Sequence, residues 1–112
     1  MPDAMTELTA TTFDEVVLQS TDTWLVDFWA EWCQPCHALE PALDELVASD
    51  LPVRVGKVDV LAHAELGERF DVKTVPTLVF FRGGEAVARL FGAKTFRQLC
   101  VAVERLDNAV DA

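Results

Sequence analysis

Apolar positions follow two rhythms along this chain, and the alternation between them predicts its fold. Three nearly continuous apolar runs, Trp24 to Trp29, Val53 to Val60 and Thr77 to Phe81, have the length of buried strands. The middle run opens after Pro52 and switches phase, from Val53 and Val55 to Val58 and Val60, as a strand covered on both faces can. Elsewhere the apolar residues recur every three or four positions. Phe13, Val16 and Val17 form one such set, and Leu39, Leu43, Leu46 and Val47 a second. Ala62, Leu66 and Phe70 form a third, and Phe96, Leu99, Cys100, Val103 and Leu106 a fourth. That spacing lays each set on one face of a helix.

Local signals place the boundaries. Thr12-Phe13-Asp14-Glu15 reads as a capping box opening a first helix that ends near Gln19-Ser20. The second helix is expected from Cys33 to Ala48, kinked rather than stopped at Pro41, and Gly67 weakens the third. Arg82-Gly83-Gly84-Glu85 is a turn, and Ala86 to Phe91 pairs back as a hairpin. Thr95 caps the last helix, with fraying expected after Asp107. A short edge strand near Glu7-Leu8-Thr9 completes the order β-α-β-α-β-α-β-β-α. The expected architecture is α/β: one domain over residues 1–112, with a mixed central sheet flanked by helices on both faces and tails at about 1–5 and 107–112.

Where the first long strand meets the second helix lie Cys33 and Cys36, with Gln34 and Pro35 between them. Pro35 suits a first helical turn, where its missing N–H has no partner to lose. Free N–H groups and the positive end of the helix dipole favour a thiolate at Cys33, and the thiolate is the nucleophile of disulfide exchange. The stretch reads as a redox centre; the competing reading is a pair of buried structural thiols. A zinc site needs two further ligands at comparable spacing, and Cys100, His37 and His63 are scattered. No metal or cofactor is therefore expected, and no Gly-rich dinucleotide motif occurs. Cys100 lies on the apolar face of the last helix and is read as a packed core residue.

Composition removes other functions. Nine basic residues face nineteen acidic ones, a net charge of −10, which disfavours nucleic acid as a partner. No apolar run is long enough to cross a bilayer. The opening Met1-Pro2-Asp3-Ala4-Met5 has neither a basic nor an apolar signal region, so a cytoplasmic protein is expected.

Trp29-Ala30-Glu31-Trp32-Cys33-Gln34-Pro35-Cys36, preceded by Val26-Asp27-Phe28 and followed some forty residues on by Val75-Pro76-Thr77, resembles the thioredoxin family. The likeness runs from about Phe13 to Leu106, and two separated motifs in the right order make it more specific than a lone Cys-x-x-Cys. Two positions depart from the family pattern: Gln34 stands where glycine is usual, and His37 where a basic residue is common. Both bear on redox potential and partner range.

The resemblance implies a thioredoxin fold and a protein disulfide reductase acting on disulfide-containing client proteins. Electrons would return from NADPH through a separate thioredoxin reductase. Cys33 would be the exposed attacking thiol and Cys36 the resolving one. Asp27, inside an apolar strand, should have its pKa raised toward neutrality and take the proton from Cys36; a water-facing edge aspartate is the alternative. Lys57 lies in the neighbouring strand, within reach to tune Asp27, or simply snorkels. Val75-Pro76 matches a loop whose proline peptide is cis and whose backbone pairs with an extended partner segment. Trp32, Gln34, Pro35, Val75, Pro76, Gly92 and Ala93 would form the docking surface, the apolar members making an exposed patch, and Trp29 would support the site from beneath. His37 and His63 receive no role. A disulfide oxidase or isomerase, or a non-catalytic binding module, are the competing functions; a monomer is expected.

Overall fold

The computed structural model describes residues 5–110, so of the expected tails residues 1–4, 111 and 112 lie outside the described residues. Strand β1 (Thr6–Glu7) is followed by a one-turn π-helix (Asp14–Leu18), β2 (Trp24–Trp29), α1 (Gln34–Ala48), β3 (Arg54–Asp59), α2 (Ala64–Arg69), the hairpin β4 (Thr77–Arg82) and β5 (Glu85–Phe91), and α3 (Phe96–Val110). The sheet order is β1-β3-β2-β4-β5. Strands β1, β3 and β2 run parallel, while β4 and β5 are antiparallel to their neighbours, so the sheet is mixed as expected.

Alternation along each strand divides the core in two. Val26, Phe28, Val58 and Val79 pack with Phe13, Val17 and Leu66 on one face of the sheet. Leu25, Val55, Leu78 and Phe80 pack with Leu39, Leu43, Leu46, Leu99 and Val103 of α1 and α3 on the other. The phase switch inside β3 is thus real, with Val55 and Val58 serving opposite layers. Asp27 is odd-numbered like Leu25, so it points toward α1.

Two boundaries differ from expectation. Thr12 does not cap Glu15. Its hydroxyl turns back to accept from the Thr9 N–H at 3.0 Å, and the turn that follows is wound as a π-helix, with Gln19 N–H donating to the Asp14 carbonyl at 3.0 Å. The capping box forms at α3 instead, where Gln98 N–H donates to Thr95 Oγ1 at 3.1 Å and Gln98 Oε1 accepts from Thr95 N–H at 2.9 Å. Helix α3 also does not end at Asp107. The Arg82 guanidinium reaches across from β4 to the Leu106 carbonyl at 3.3 Å and the Asp107 carboxylate at 2.9 Å, and α3 continues to Val110. Cys100 is half-buried at the margin of the apolar face rather than packed in the core. Helix α1 runs through Pro41 without stopping.

Gly83 and Gly84 both hold positive φ, 61° and 84°, which lets a two-residue loop close β4 onto β5. Gly56 is constrained by space. A Cβ there would stand 2.6 Å from Leu8 Cδ1 and 3.3 Å from the Thr6 carbonyl oxygen, inside the β1–β3 pairing. Gly56→Ala must push aside a buried Leu8, so an overpacking penalty of about 1–2 kcal/mol is expected. Thermal denaturation should show a fall of roughly 5 °C or more. An unchanged melting temperature would mean that Leu8 has room to move.

Candidate active site

The site is built at the C-terminal end of β2. The strand delivers Asp27 and Trp29, then the chain turns through Ala30–Trp32 and enters α1 at Cys33. Cys33 is the N-cap, extended at φ −90° and ψ 108°, with Pro35 in the first helical turn. Its sulfur accepts from the Cys36 N–H at 3.2 Å, the contact expected of an unsatisfied helix N-terminus. The two cysteines are disulfide-bonded, with Cα atoms 5.3 Å apart, well inside the range a disulfide spans.

Exposure corrects one expectation. Cys33 is only 3% exposed in this oxidised pair, and Cys36 is buried with it against Ala30, Trp29, Val60 and Val75. The difference between the two thiols therefore lies in backbone position more than in accessibility. Trp32 beside them is 68% exposed.

Asp27 lies in the central strand of the five, not at an edge, and is 2% exposed. Its Oδ1 is buried with no hydrogen-bond partner. Burial raises its pKa from 3.8 to about 7; the Lys57 ammonium opposes that rise and the Glu40 carboxylate adds to it. Lys57 stands opposite Asp27 in the parallel β2–β3 register. It does not simply snorkel: its Nζ donates to Glu40 Oε2 at 3.2 Å and sits 4.7 Å above the Trp29 ring. Trp29 thus supports the site by holding Lys57, and also meets the His37 ring edge-on.

The docking residues are brought together unevenly. The Val75-Pro76 peptide is cis. Gln34, Pro35 and Ala93 are exposed with Trp32, while Val75 and Gly92 are half-buried. Pro76 is buried, so it is not part of an exposed patch; its carbonyl accepts from the Gly92 N–H at 3.0 Å, which fixes the two loops side by side.

Two residues escaped the sequence reading. Glu40 holds Lys57, and its signal was a carboxylate four residues after Cys36, between the apolar positions Leu39 and Leu43. His37 closes the loop before α1, its Nε2 lying 2.6 Å from the Glu31 carbonyl oxygen. His63 has a structural contact too, Nδ1 accepting from the Ala10 N–H at 3.3 Å.

A family model described as thioredoxin matches residues 4–105. The chain belongs to the thioredoxin family. A thioredoxin from Mycobacterium tuberculosis is 42% identical over 94 residues, covering 81% of this chain and 79% of that one. A bifunctional thioredoxin reductase/thioredoxin from Mycobacterium leprae is 40% identical over 89 residues; the match covers 79% of this chain but only 19% of that protein. A mutant thioredoxin from Halobacterium salinarum superposes with a TM-score of 0.84 at 34% identity, covering 93% of this chain and 91% of that one. The fold is that of the thioredoxin family, and the chemistry is thiol–disulfide exchange on protein disulfides by a redox-active cysteine pair.

Gln34 is the exposed first residue of α1 and makes no side-chain hydrogen bond among those described. Gln34→Gly changes backbone freedom between the two sulfurs, and should move the redox potential by roughly 30 mV, the equivalent of about 1.4 kcal/mol in a two-electron couple. Equilibration against a glutathione buffer measures it. An equal potential would make Gln34 a passive surface residue.

Proposed function

We propose that the chain is a protein disulfide reductase in which Cys33 attacks, Cys36 resolves and Asp27 is the base. In the reduced protein the Cys33 thiolate attacks one sulfur of a client disulfide. That bond breaks, a Cys33–client disulfide forms, and the departing client sulfur takes up a proton. Cys36 then gives its proton to Asp27 and attacks the Cys33 sulfur. The second client thiol leaves, protonated in turn, and Cys33–Cys36 is oxidised. Two electrons have passed to the client.

The observation that carries this reading is a buried Asp27 carboxyl, its Oδ1 unpartnered, in the strand that leads into a disulfide seated at a helix N-terminus. A carboxyl poised near neutrality can both accept and return a proton at physiological pH. Lys57 sets how strongly it does so. Trp32, Gln34, Pro35, Val75, Gly92 and Ala93 form the docking surface, with the buried Pro76 holding the loop from beneath and the Val75 backbone facing the client's extended segment.

Electrons are returned by an NADPH-dependent thioredoxin reductase; the Mycobacterium leprae relative is a bifunctional thioredoxin reductase/thioredoxin, which favours such a pairing. We further read the chain as a single-domain monomer of the cytoplasm, where a reductase finds a reducing supply. Nucleic acid is disfavoured by the net charge of −10, and no helix among the described residues is long and apolar enough to cross a membrane. A coupled assay with NADPH, thioredoxin reductase and an insulin-like substrate tests the reading. Turnover is expected. Inertness with a strongly oxidising potential would favour an oxidase, and inertness without redox cycling a binding module.

A further inference from the structure

We propose that Glu40 is a positioning residue for the exchange reaction: it holds the Lys57 ammonium off the Asp27 carboxylate and so keeps Asp27 a strong enough base to take the Cys36 proton. The inference rests on Asp27 being that base, and it explains a geometry that the base alone does not. Asp27 and Lys57 are direct neighbours in register, and strand alternation turns both toward α1. A buried carboxylate and a lysine so placed would ordinarily pair. Here they do not. Lys57 donates to Glu40 Oε2 at 3.2 Å and lies over Trp29, and Asp27 Oδ1 is left buried without a partner.

Glu40 can do this because of where α1 puts it. It follows Cys36 by four residues, hence sits one turn further along the same helix face. Its side chain is 40% exposed and that of Lys57 16%, so the ion pair has one end in water and is not stranded in the core. The other groups nearby do not compete for the ammonium. Glu7, Asp59 and His63 line a cavity of about 150 Å³ with Lys57, but Glu7, opposite Lys57 in the β1–β3 register, is exposed and makes no ion pair with it among the described residues, Asp59 Oδ1 is engaged by the N–H groups of Leu61 and Ala62, and His63 by that of Ala10. On the β4 side Asp27 faces Leu78, which is apolar, and from α1 the charge that acts on it is that of Glu40. Without Glu40, the carboxylates left beside Lys57 are the exposed Glu7 on the β1 side and, in the buried strand on the other side, the unpartnered Asp27.

An ammonium drawn to within about 4–6 Å of a carboxyl lowers its pKa by one unit or more. A weaker base accepts the Cys36 proton less readily. Glu40→Gln keeps the size and helix propensity of the side chain at a half-exposed position while removing its charge. The test titrates Asp27 by carbon NMR of labelled carboxyls and follows, in the same variants, release of thionitrobenzoate from its mixed disulfide with Cys33. Glu40→Gln is expected to lower the Asp27 midpoint by about one unit, tenfold in proton affinity, and to slow release roughly threefold or more at pH 8. Glu40→Asp, which keeps the charge, should stay nearer the wild type.

In a Lys57→Met background the same Glu40→Gln change should move the midpoint by less than about a third as much, since its route is gone. A midpoint that stays within about 0.2 units, or rises, overturns the proposal. So does an equal shift in both backgrounds, which would make Glu40 a bare charge, or a lowered midpoint with unchanged release. Asp27→Asn, run alongside, separates the two layers: if it fails to slow release, it is the assignment of the base that falls.

Discussion

Cys36→Ser should turn the protein into a covalent trap, and Cys33→Ser should leave it inert. Both substitutions remove the ability to complete a cycle, so turnover in the coupled assay falls to background in each, but what accumulates differs. Cys33 is the N-cap of α1, where the Cys36 N–H already points at its sulfur at 3.2 Å. That N–H and the helix dipole stabilise a negative sulfur at position 33 when the disulfide is opened. Cys36 is the third residue of the helix, and no N–H group among the described hydrogen bonds donates to its sulfur. With serine at 36, the first attack proceeds and the mixed disulfide has no internal thiol to release it. Client proteins should therefore co-migrate with the variant on a non-reducing gel and separate on adding reductant. Mass spectrometry should find the link at Cys33. Trapping by Cys33→Ser and not by Cys36→Ser would reverse the assignment. Because Cys33 is 3% exposed in the oxidised pair, the attacking sulfur has to be uncovered on reduction or by the docking client.

What could be read from the chain before folding depended on how local the signal was. The long central strands, the Gly83-Gly84 hairpin and the Thr95 cap are each specified by a handful of adjacent residues, and each forms where expected. The same kind of signal misled at Thr12, because a threonine hydroxyl has more than one backbone partner within reach and Thr9 supplied the nearer one. The end of α3 was illegible for a different reason. Arg82, more than twenty residues away, holds it, and no window around Asp107 contains that information. The site divides in the same way. Cys33, Cys36 and Asp27 stand out because polar or reactive residues interrupt an apolar pattern. The Glu40–Lys57 pair joins a helix to a strand, and neither residue is unusual in its own element. Cys33 burial depends on Val60 and Val75 arriving from two other parts of the chain.

Asp27→Asn should separate catalysis from stability, with opposite signs. General base catalysis is worth 10²–10⁴-fold where it operates, so release of the mixed disulfide should slow by roughly tenfold or more at pH 7 to 8. In the wild type release should climb with pH through a midpoint near the Asp27 pKa of about 7, since a protonated carboxyl cannot accept the Cys36 proton. That midpoint should vanish in the Asn variant. Stability runs the other way. The unfolded carboxyl titrates near 3.8 and the folded one near 7, so the native state binds this proton more tightly. The associated stability is fully present below about pH 4, declines as pH rises, and is lost above about 7. A gap of about three units at 1.36 kcal/mol each is on the order of 4 kcal/mol for the fully ionised group. The Asn variant carries no such charge and should be the more stable protein at pH 8, by up to a few kcal/mol. Near pH 4 the two proteins should differ little. Urea denaturation of the oxidised proteins at pH 4, 6 and 8 reads this directly. Parallel pH profiles for the two proteins would mean that Asp27 does not titrate in this window. A proton acceptor for Cys36 would then have to be sought elsewhere.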